Sequence, residues 1–235
     1  MDREVSPAMP DHLVIAIDGP VGSGKSTVAR RLAERLGFRY LDTGAMYRAV
    51  TLKALRSGVD LGDAGALTAV ARSSDIRFEP APAGLRVLLD GRDVTSEIRS
   101  LEVTNNAFGP SGTLGVRERM VELQRREAER GPLVAEGRDM GTVVFADSPA
   151  KFYLDASVEE RARRRHAEHL AQGDDVSLEE LKRQIVVRDR RDSSRRASPL
   201  RRAEDAVYVD TTDMGIEDVV GHILAVLGEK GLLDG

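Results

Sequence analysis

Leu13–Ser26 reads LVIAIDGPVGSGKS. An apolar run of strand length, Leu13–Ile17, leads through Asp18 to Gly19, four residues, and then Gly24-Lys25-Ser26. This is the Gly-x-x-x-x-Gly-Lys-Ser/Thr spacing of a loop that cradles phosphates. Gly19, Gly22 and Gly24 let the backbone turn tightly and aim successive N–H groups at anionic oxygens, where a Cβ would obstruct. The helix that follows directs its partly positive N-terminus at the same place. Lys25 is expected to reach the outer phosphates and the Ser26 hydroxyl to bind Mg²⁺, with Pro20, Val21, Ser23 and Thr27 completing the lining. A glycine-rich turn matching the pattern by chance is the plain alternative. Context weighs against it, because Val28, Leu32 and Leu36 recur every four residues after the loop, as an amphipathic helix requires. The motif implies a nucleoside triphosphate, ATP or GTP; it leaves open what is done with it.

Working outward, 235 residues suffice for an α/β domain of moderate size with insertions. A hydrophobic content of 41% and a charged content of 31% are those of a soluble globular chain. The net charge of −4 argues against reading nucleic acid through a global positive field. No apolar stretch approaches the ~18 residues of a membrane span, and MDREVSPAMPDH carries no apolar core of a signal peptide. With zero cysteines there is no thiol chemistry and no cysteine metal site, so the cytoplasm is the expected compartment. Aromatics at 4% and no Trp make base-stacking platforms an unpromising reading.

Strand-like and helix-like stretches alternate along the chain. Residues 1–11, with Pro7 and Pro10, read as a frayed tail. Strands are expected at Leu13–Ile17, Phe38–Leu41, Leu133–Ala135, Lys151–Leu154 and Ala206–Val209, with helices between them, so the sheet should be parallel and covered on both faces. From about Asp60 to Thr104 the texture changes. Ile76–Phe78 and Leu85–Leu89 read as short strands joined by an Asp90-Gly91 turn, interrupted by Pro80 and Pro82. Val116–Arg130 reads as a charged helix, and Ser157/Glu160 and Ser177/Glu180 as capping boxes of two more. The expected organisation is a core over 12–59, an insertion over 60–115, core over 116–157, an Arg-rich lid with its following helix over 158–196, and core over 197–235. Every strand ends in a polar residue, and ligands of open α/β sheets bind beyond the carboxyl ends of the strands. Asp18 and Asp42 are the better candidates there for a Mg-nucleotide site; Asp155 and Asp210 read as ordinary turn residues.

Only five of the 35 basic residues are Lys. Between Arg161 and Arg202 stand 13 basic and 7 acidic residues, +6 locally, which leaves −10 for the remainder of a −4 chain. Arg161, Arg164 and Arg165 share one helical face, and Arg188, Asp192 and Arg195 another. Such faces are commonly solvated surface. Beside a phosphate loop they read as an arm that closes over the γ-phosphate, stabilises transferring charge and excludes water. His166 and His169 have a metal-compatible i, i+3 spacing, but no Glu-x-x-His partner set surrounds them.

Five blocks, IDGPVGSGKST, YLDTGAMYRAV, VTSEIRSLEV, EGRDMGTVVF and VVRDRRDSSRRASPL, occur in this order. Over about residues 12–227 the sequence closely resembles the bacterial cytidylate kinases, of the nucleoside monophosphate kinase group of phosphate-loop proteins. The resemblance implies transfer of the γ-phosphoryl group of MgATP to CMP or dCMP. It also implies a five-stranded parallel core in the order 2-3-1-4-5 with a monophosphate-binding insertion and a closing helical lid. Carried across residue by residue, Arg48 and Arg138 with Thr43 hold the CMP phosphate, and Asp139 and Arg117 read the cytosine edge. Arg188, Asp192 and Arg195 contact the acceptor's sugar and phosphate. Lys25, Arg161, Arg165 and Arg188 supply the charge that stabilises transfer. A carboxylate accepts from the exocyclic amine of cytosine and repels the carbonyl that uracil presents there. The chain departs from the family pattern in one place. A base-contacting Ser is usual where Phe108 aligns, so Ser111 substitutes after a local shift or the contact is lost.

The implied partners are ATP and CMP or dCMP, with no nucleic acid and no membrane, and a monomer. A related kinase with another acceptor, such as UMP, AMP or shikimate, keeps the loop but gives no reason for the VRDRRDSSR and EGRDMG blocks. A GTP switch would need an Asn-Lys-x-Asp element, which is absent, and the only Asp-x-x-Gly is Asp218–Gly221 within the last helix. A nucleic-acid binder acting through residues 161–202 would show salt-sensitive retention that CMP does not compete away.

Overall fold

The computed structural model describes residues 12–81 and 84–233; the expected tail over 1–11 and Pro82 lie outside them. In chain order the elements are β1 (Val14–Asp18), α1 (Lys25–Leu36), β2 (Arg39–Asp42), α2 (Thr43–Arg56), α3 (Ala64–Arg72), β3 (Ile76–Ala81), β4 (Gly84–Leu89) and β5 (Arg92–Asp93). There follow α4 (Leu101–Asn106), α5 (Phe108–Gly112), α6 (Leu114–Ala128), β6 (Leu133–Gly137), β7 (Ala150–Asp155), α7 (Val158–Gln172), α8 (Leu178–Ser193), β8 (Val207–Asp210) and α9 (Ile216–Glu229).

The main sheet has the order β2-β6-β1-β7-β8, which among the core strands is 2-3-1-4-5 as expected. β1 lies at its centre, parallel to β6 and β7, with Asp18 in register with Gly137 on one side and Tyr153 on the other. The strand ends that carry chemistry therefore finish level. Both β1 and β6 are buried at every position, the pattern of a parallel strand covered on both faces. Ile15, Ile17, Leu133, Phe152 and Leu154 form the interior. On burial each side chain of this size contributes roughly 1.5–3 kcal/mol. α1 adds Val28 and Leu32, and α9, packed beside it, adds Val219, Val220, Ile223 and Leu227. α1 ends at Gly37, whose left-handed backbone returns its N–H to the helix.

Two compact units are distinguished: one runs to Arg39 and resumes at Ala128, and the other is Tyr40–Glu127. The second unit holds α2 and the expected antiparallel strands, β3-β4-β5. Asp90 and Gly91 both have positive φ, 51° and 78°, the signature of a tight hairpin turn with primed geometry. Pro80 does not interrupt the sheet. It pairs with Leu85 within β3, an edge strand, where a residue without an N–H leaves no ladder bond unmade. Three short helices, α3, α4 and α5, lie where the sequence reading placed only an insertion of mixed texture. α3 carries its own start signal, Asp63, whose side chain accepts from Ala66 N, and it buries Leu67, Val70 and Ala71 on one face.

The capping boxes form by half. Ser157 Oγ accepts from Glu160 N and Ser177 Oγ from Glu180 N. The glutamates do not reach back as expected. Glu160 binds Arg163 and Arg164, Glu180 binds Arg183 and Gln184, and the Ser157 N–H goes to Thr212 Oγ1. A charged partner one turn ahead outcompetes a neutral backbone donor.

Gly115, in the first turn of α6, tests the packing of the second unit. A Cβ there would lie 2.5 Å from Thr68 Oγ1 and 2.6 Å from its Cγ2. Gly115→Ala is expected to lower stability by about 1–3 kcal/mol in denaturant titration through overpacking; an unchanged midpoint would contradict the close approach of α3 and α6.

Candidate active site

β1 leads directly into the phosphate loop, and the loop has no room to spare. A Cβ on Gly19 would lie 2.1 Å from the Leu154 carbonyl oxygen, and one on Gly22 would lie 3.0 Å from Arg161 Cβ. Gly24, at φ 84°, turns the chain into α1, which begins at Lys25. Lys25 is 6% exposed and donates from Nζ to the Pro20 carbonyl at 3.1 Å. Burial and the Arg138 charge press its pKa down to about 7, with Arg188 adding to them and Glu136 and Asp192 opposing. A group so placed gains most from an arriving anion, whose charge returns the lysine towards its protonated form.

Ser26 faces solvent, and its Oγ donates to Glu136 Oε1 at 2.8 Å. Glu136, buried at the end of β6, is a functional candidate that the sequence reading quotes within EGRDMG without singling out. The usable signal was its position at a strand end beside the central strand. A hydroxyl and a carboxylate in contact are the oxygen donors that a hard dication takes. Among the described residues no group of three His, Asp or Glu side chains could hold a metal alone.

Asp18 has a different task from the metal-site role expected of it. Its two carboxylate oxygens accept from Met140 N and Gly141 N, each at 2.8 Å. Burial pushes its pKa up to about 7, against these two N–H groups. The bonds fasten the segment after Asp139, which makes one wide turn over Met140–Val144, with Phe145 N donating to Met140 O at 2.7 Å. Single turns of this i→i+5 kind are frequent at functional sites. Here the turn fixes the backbone that carries Arg138 and Asp139, both of them base- or phosphate-contact candidates. Asp42 is likewise occupied: it caps α2 through Ala45 N at 2.9 Å and pairs with Arg48 Nη2 at 2.9 Å. Of the two strand-end carboxylates expected at a Mg-nucleotide site, Asp18 accepts from backbone N–H groups and Asp42 from a helix start.

Arg138 donates from Nε to Asp192 Oδ2 at 2.8 Å, and Arg195 binds the other oxygen of the same carboxylate. Burial works against the charge on Asp192, yet Arg138 and Arg195 hold its pKa below the ordinary aspartate range. Arg188 stands one turn earlier on α8 and acts electrostatically on both Lys25 and Asp192. The structure thus gathers Lys25, Arg138, Arg188, Asp192 and Arg195 into one electrostatic group.

Arg161 and Arg165 separate from each other. Arg161 is 5% exposed and bonds to the Ala156 carbonyl at 2.9 Å, the Val21 carbonyl at 3.2 Å and Asp189 at 2.7 Å. It is part of the wall behind the loop. Arg165 is half-buried, with Nη2 3.5 Å from His169 Nε2; His169 Nδ1 in turn faces Asp174 at 3.2 Å. Val21, Ala162, Leu181 and Ile185 make a small apolar cluster that joins the loop to α7 and α8.

In the Tyr40–Glu127 unit, Thr43 is buried at the first position of α2. Gly44 admits the Arg48 guanidinium, whose Nη1 lies 3.0 Å from where a Cβ would stand. Arg117 is 3% exposed, with its guanidinium carbon 5.5 Å from the centre of the Tyr47 ring and Nη1 donating to the Ser111 carbonyl at 3.1 Å. The Ser111 hydroxyl donates to the Phe108 carbonyl at 3.1 Å, and the Phe108 ring is 43% exposed. Ser111 therefore serves Arg117 through its main chain.

A family model described as cytidylate kinase matches residues 15–229. The chain belongs to the cytidylate kinase family. It is 50% identical to the cytidylate kinase of Geobacillus kaustophilus over 94% of this chain and 99% of that protein. It is 52% identical to that of Desulforamulus reducens over 95% of this chain and all of the relative, 100%. A crystal structure of a protein from Eubacterium ventriosum superposes with a TM-score of 0.50 at 13% identity, covering 93% of this chain and 99% of that one, a likeness of fold alone. Among the described residues no helix of this family member is long and apolar enough to cross a membrane.

Asp18→Asn tests the brace behind Arg138-Asp139. The amide presents an NH₂ to one of two backbone N–H groups, and a loss of about 1–3 kcal/mol is expected. The folded-state pKa of Asp18 is raised, so the stability it contributes is present below its unfolded value of 3.8 and is lost as pH rises through about 7. The gap between native protein and variant should therefore narrow from pH 5 to pH 8 in denaturant titrations; parallel curves would contradict the buried, protonatable brace.

Proposed function

We propose that this protein transfers the γ-phosphoryl group of ATP to CMP or dCMP, giving ADP and CDP or dCDP. Family membership over residues 15–229, on a chain whose central strand runs into a complete phosphate loop, carries the reading. No side chain need act as nucleophile. An oxygen of the acceptor's own phosphate attacks the γ-phosphorus in line, the bond to the β,γ-bridging oxygen breaks, and ADP leaves. The protein's part is alignment and a fixed positive field.

The loop amides from Gly19 to Thr27, with Lys25, receive the triphosphate. Ser26 and Glu136 are the residues that would hold Mg²⁺, which when bound neutralises the phosphate oxygens between which the transfer occurs. Arg48, Thr43 and Arg138 take the CMP phosphate. Arg188, Asp192 and Arg195 take the sugar and the same phosphate, and Arg188 and Arg165 bring lid charge to the transferring group. Arg161, bonded three times to protein groups, serves the site by holding the loop. Asp139 accepts from the cytosine amine, and Arg117, steadied by Tyr47 and the Ser111 carbonyl, donates to the acceptor atoms of the ring. Uracil offers a carbonyl to that carboxylate, a mismatch costing several kcal/mol at most. We take the working form to be a cytoplasmic monomer, which light scattering on purified protein tests.

ADP release assayed over CMP, dCMP, UMP, AMP, GMP and shikimate should give the highest kcat/KM with CMP or dCMP; preference for any other acceptor would overturn the assignment. Lys25→Met should lower kcat by orders of magnitude with native circular dichroism, and near-normal turnover would exclude Lys25 from transfer. Asp139→Ala should erode the preference for CMP over UMP more than it weakens ATP binding. Equal loss of both affinities would remove Asp139 from base reading.

A further inference from the structure

A loop that offers its N–H groups to phosphate has its carbonyls left as the main-chain groups by which hydrogen bonds can hold it. Because the peptide unit is planar, fixing the carbonyl of one residue fixes the N–H direction of the next. Three carbonyls of the phosphate loop have side-chain donors. Lys25 Nζ holds Pro20 O at 3.1 Å, Arg161 Nη1 holds Val21 O at 3.2 Å, and Thr211 Oγ1 holds Ser23 O at 3.1 Å. The third donor belongs to neither the loop motif nor the lid. Thr211 follows β8 immediately and is 1% exposed.

The direction of its hydroxyl proton follows from its neighbours. Arg164 Nη1 lies 3.0 Å from Thr211 Oγ1, and a guanidinium can only donate, so the hydroxyl oxygen accepts there. The hydroxyl proton is left for the two carbonyls within reach, Ser23 O and, at 2.9 Å, Asp155 O. Arg164 also donates to the Thr211 carbonyl, and Thr211 N donates to Asp155 O at 2.8 Å. Both ends of the residue are thereby anchored to the sheet and to α7. Ser23 O is the carbonyl partner of Gly24 N–H, the last loop amide before α1 begins.

We propose that Thr211 is a positioning residue for the phosphate donor: through Ser23 O it aims the Gly24 N–H at the triphosphate, and Arg164 holds Thr211 in place. The proposal rests on the reading that ATP occupies this loop. The competing role is purely structural, a tie between β7 and β8 through Asp155 O, which would alter stability without favouring one substrate over the other.

The test is made on the full chain with Thr211→Val, Thr211→Ser, Arg164→Met and the Thr211→Val/Arg164→Met double variant, measuring KM for ATP and for CMP and, by calorimetry without acceptor, ATP affinity. Loss of one neutral hydrogen bond should raise KM and Kd for ATP about 3- to 10-fold in Thr211→Val, with KM for CMP within about twofold of native. Thr211→Ser, which keeps the hydroxyl, should restore ATP binding to native. The double variant should be no worse than Thr211→Val, since Arg164 acts by holding Thr211, whose hydroxyl is already gone. Unchanged ATP binding, an equal rise in both KM values, a Ser variant as impaired as Val, or additive effects in the double variant would each overturn the proposal. Should Thr211→Val melt too low to assay, Arg164→Met, substituted at a part-exposed site, carries the same donor-only expectation, and native ATP affinity there would overturn it. Native protein that binds ATP but phosphorylates no CMP would defeat the acceptor assignment and leave the loop proposal to the calorimetry.

Discussion

The constraint on which the rest depends is that the loop after β1 must leave its amides unspent. Helices and sheets are held by pairing N–H with C=O, and a segment that reserves its N–H groups for phosphate gives up that means of support. This protein supplies the support from outside. Glycines at 19 and 22 let the loop lie against the Leu154 carbonyl and Arg161 with no side chain between. Lys25, Arg161 and Thr211 donate to three of the loop's carbonyls. β1 can carry such a loop because it is the central, wholly buried strand, with β6 and β7 in register up to Asp18.

A second consequence is the concentration of charge in poorly solvated positions. Asp192 joins Arg138 and Arg195, and Lys25 stands in the field of Arg138 and Arg188, with Glu136 and Asp192 opposing. Removing such charges from water costs several kcal/mol per ion, so an arrangement of this kind is poor evidence for stability. It is well suited to phosphoryl transfer, where fixed positive charge in a dry site needs no reorganisation as negative charge moves. The Asp18 carboxylate belongs to the same economy of position: it ties the turn after Asp139 to the end of β1 and so holds the Arg138-Asp139 pair level with the loop.

The strand–helix alternation and the phosphate loop were legible because both are local and strongly patterned, and the core strands fall within one or two residues of their expected places. The sheet order needed the family resemblance. Three short helices escaped notice for physical reasons. α4 and α5 have six and five residues, too few for a helical period to register, and α3 is built largely of Ala and Gly, although Asp63 with Leu67, Val70 and Ala71 marks its start and face. Among site residues, type and position could be read but partners could not. Asp18 and Arg161 are claimed by groups that only the fold brings near, backbone N–H groups and the loop's own carbonyl, whereas Asp42 is claimed by the start of its own helix three residues on. Glu136 was the reverse case, a carboxylate inside a quoted block whose contact with Ser26 becomes visible only when β6 lies beside β1.

The most direct test of the account is ³¹P NMR of the purified protein with MgATP and CMP. The predicted spectrum shows loss of the ATP γ signal and of CMP, with ADP and CDP appearing in equal amounts and little inorganic phosphate. ATP consumed to inorganic phosphate with CMP unchanged would contradict it.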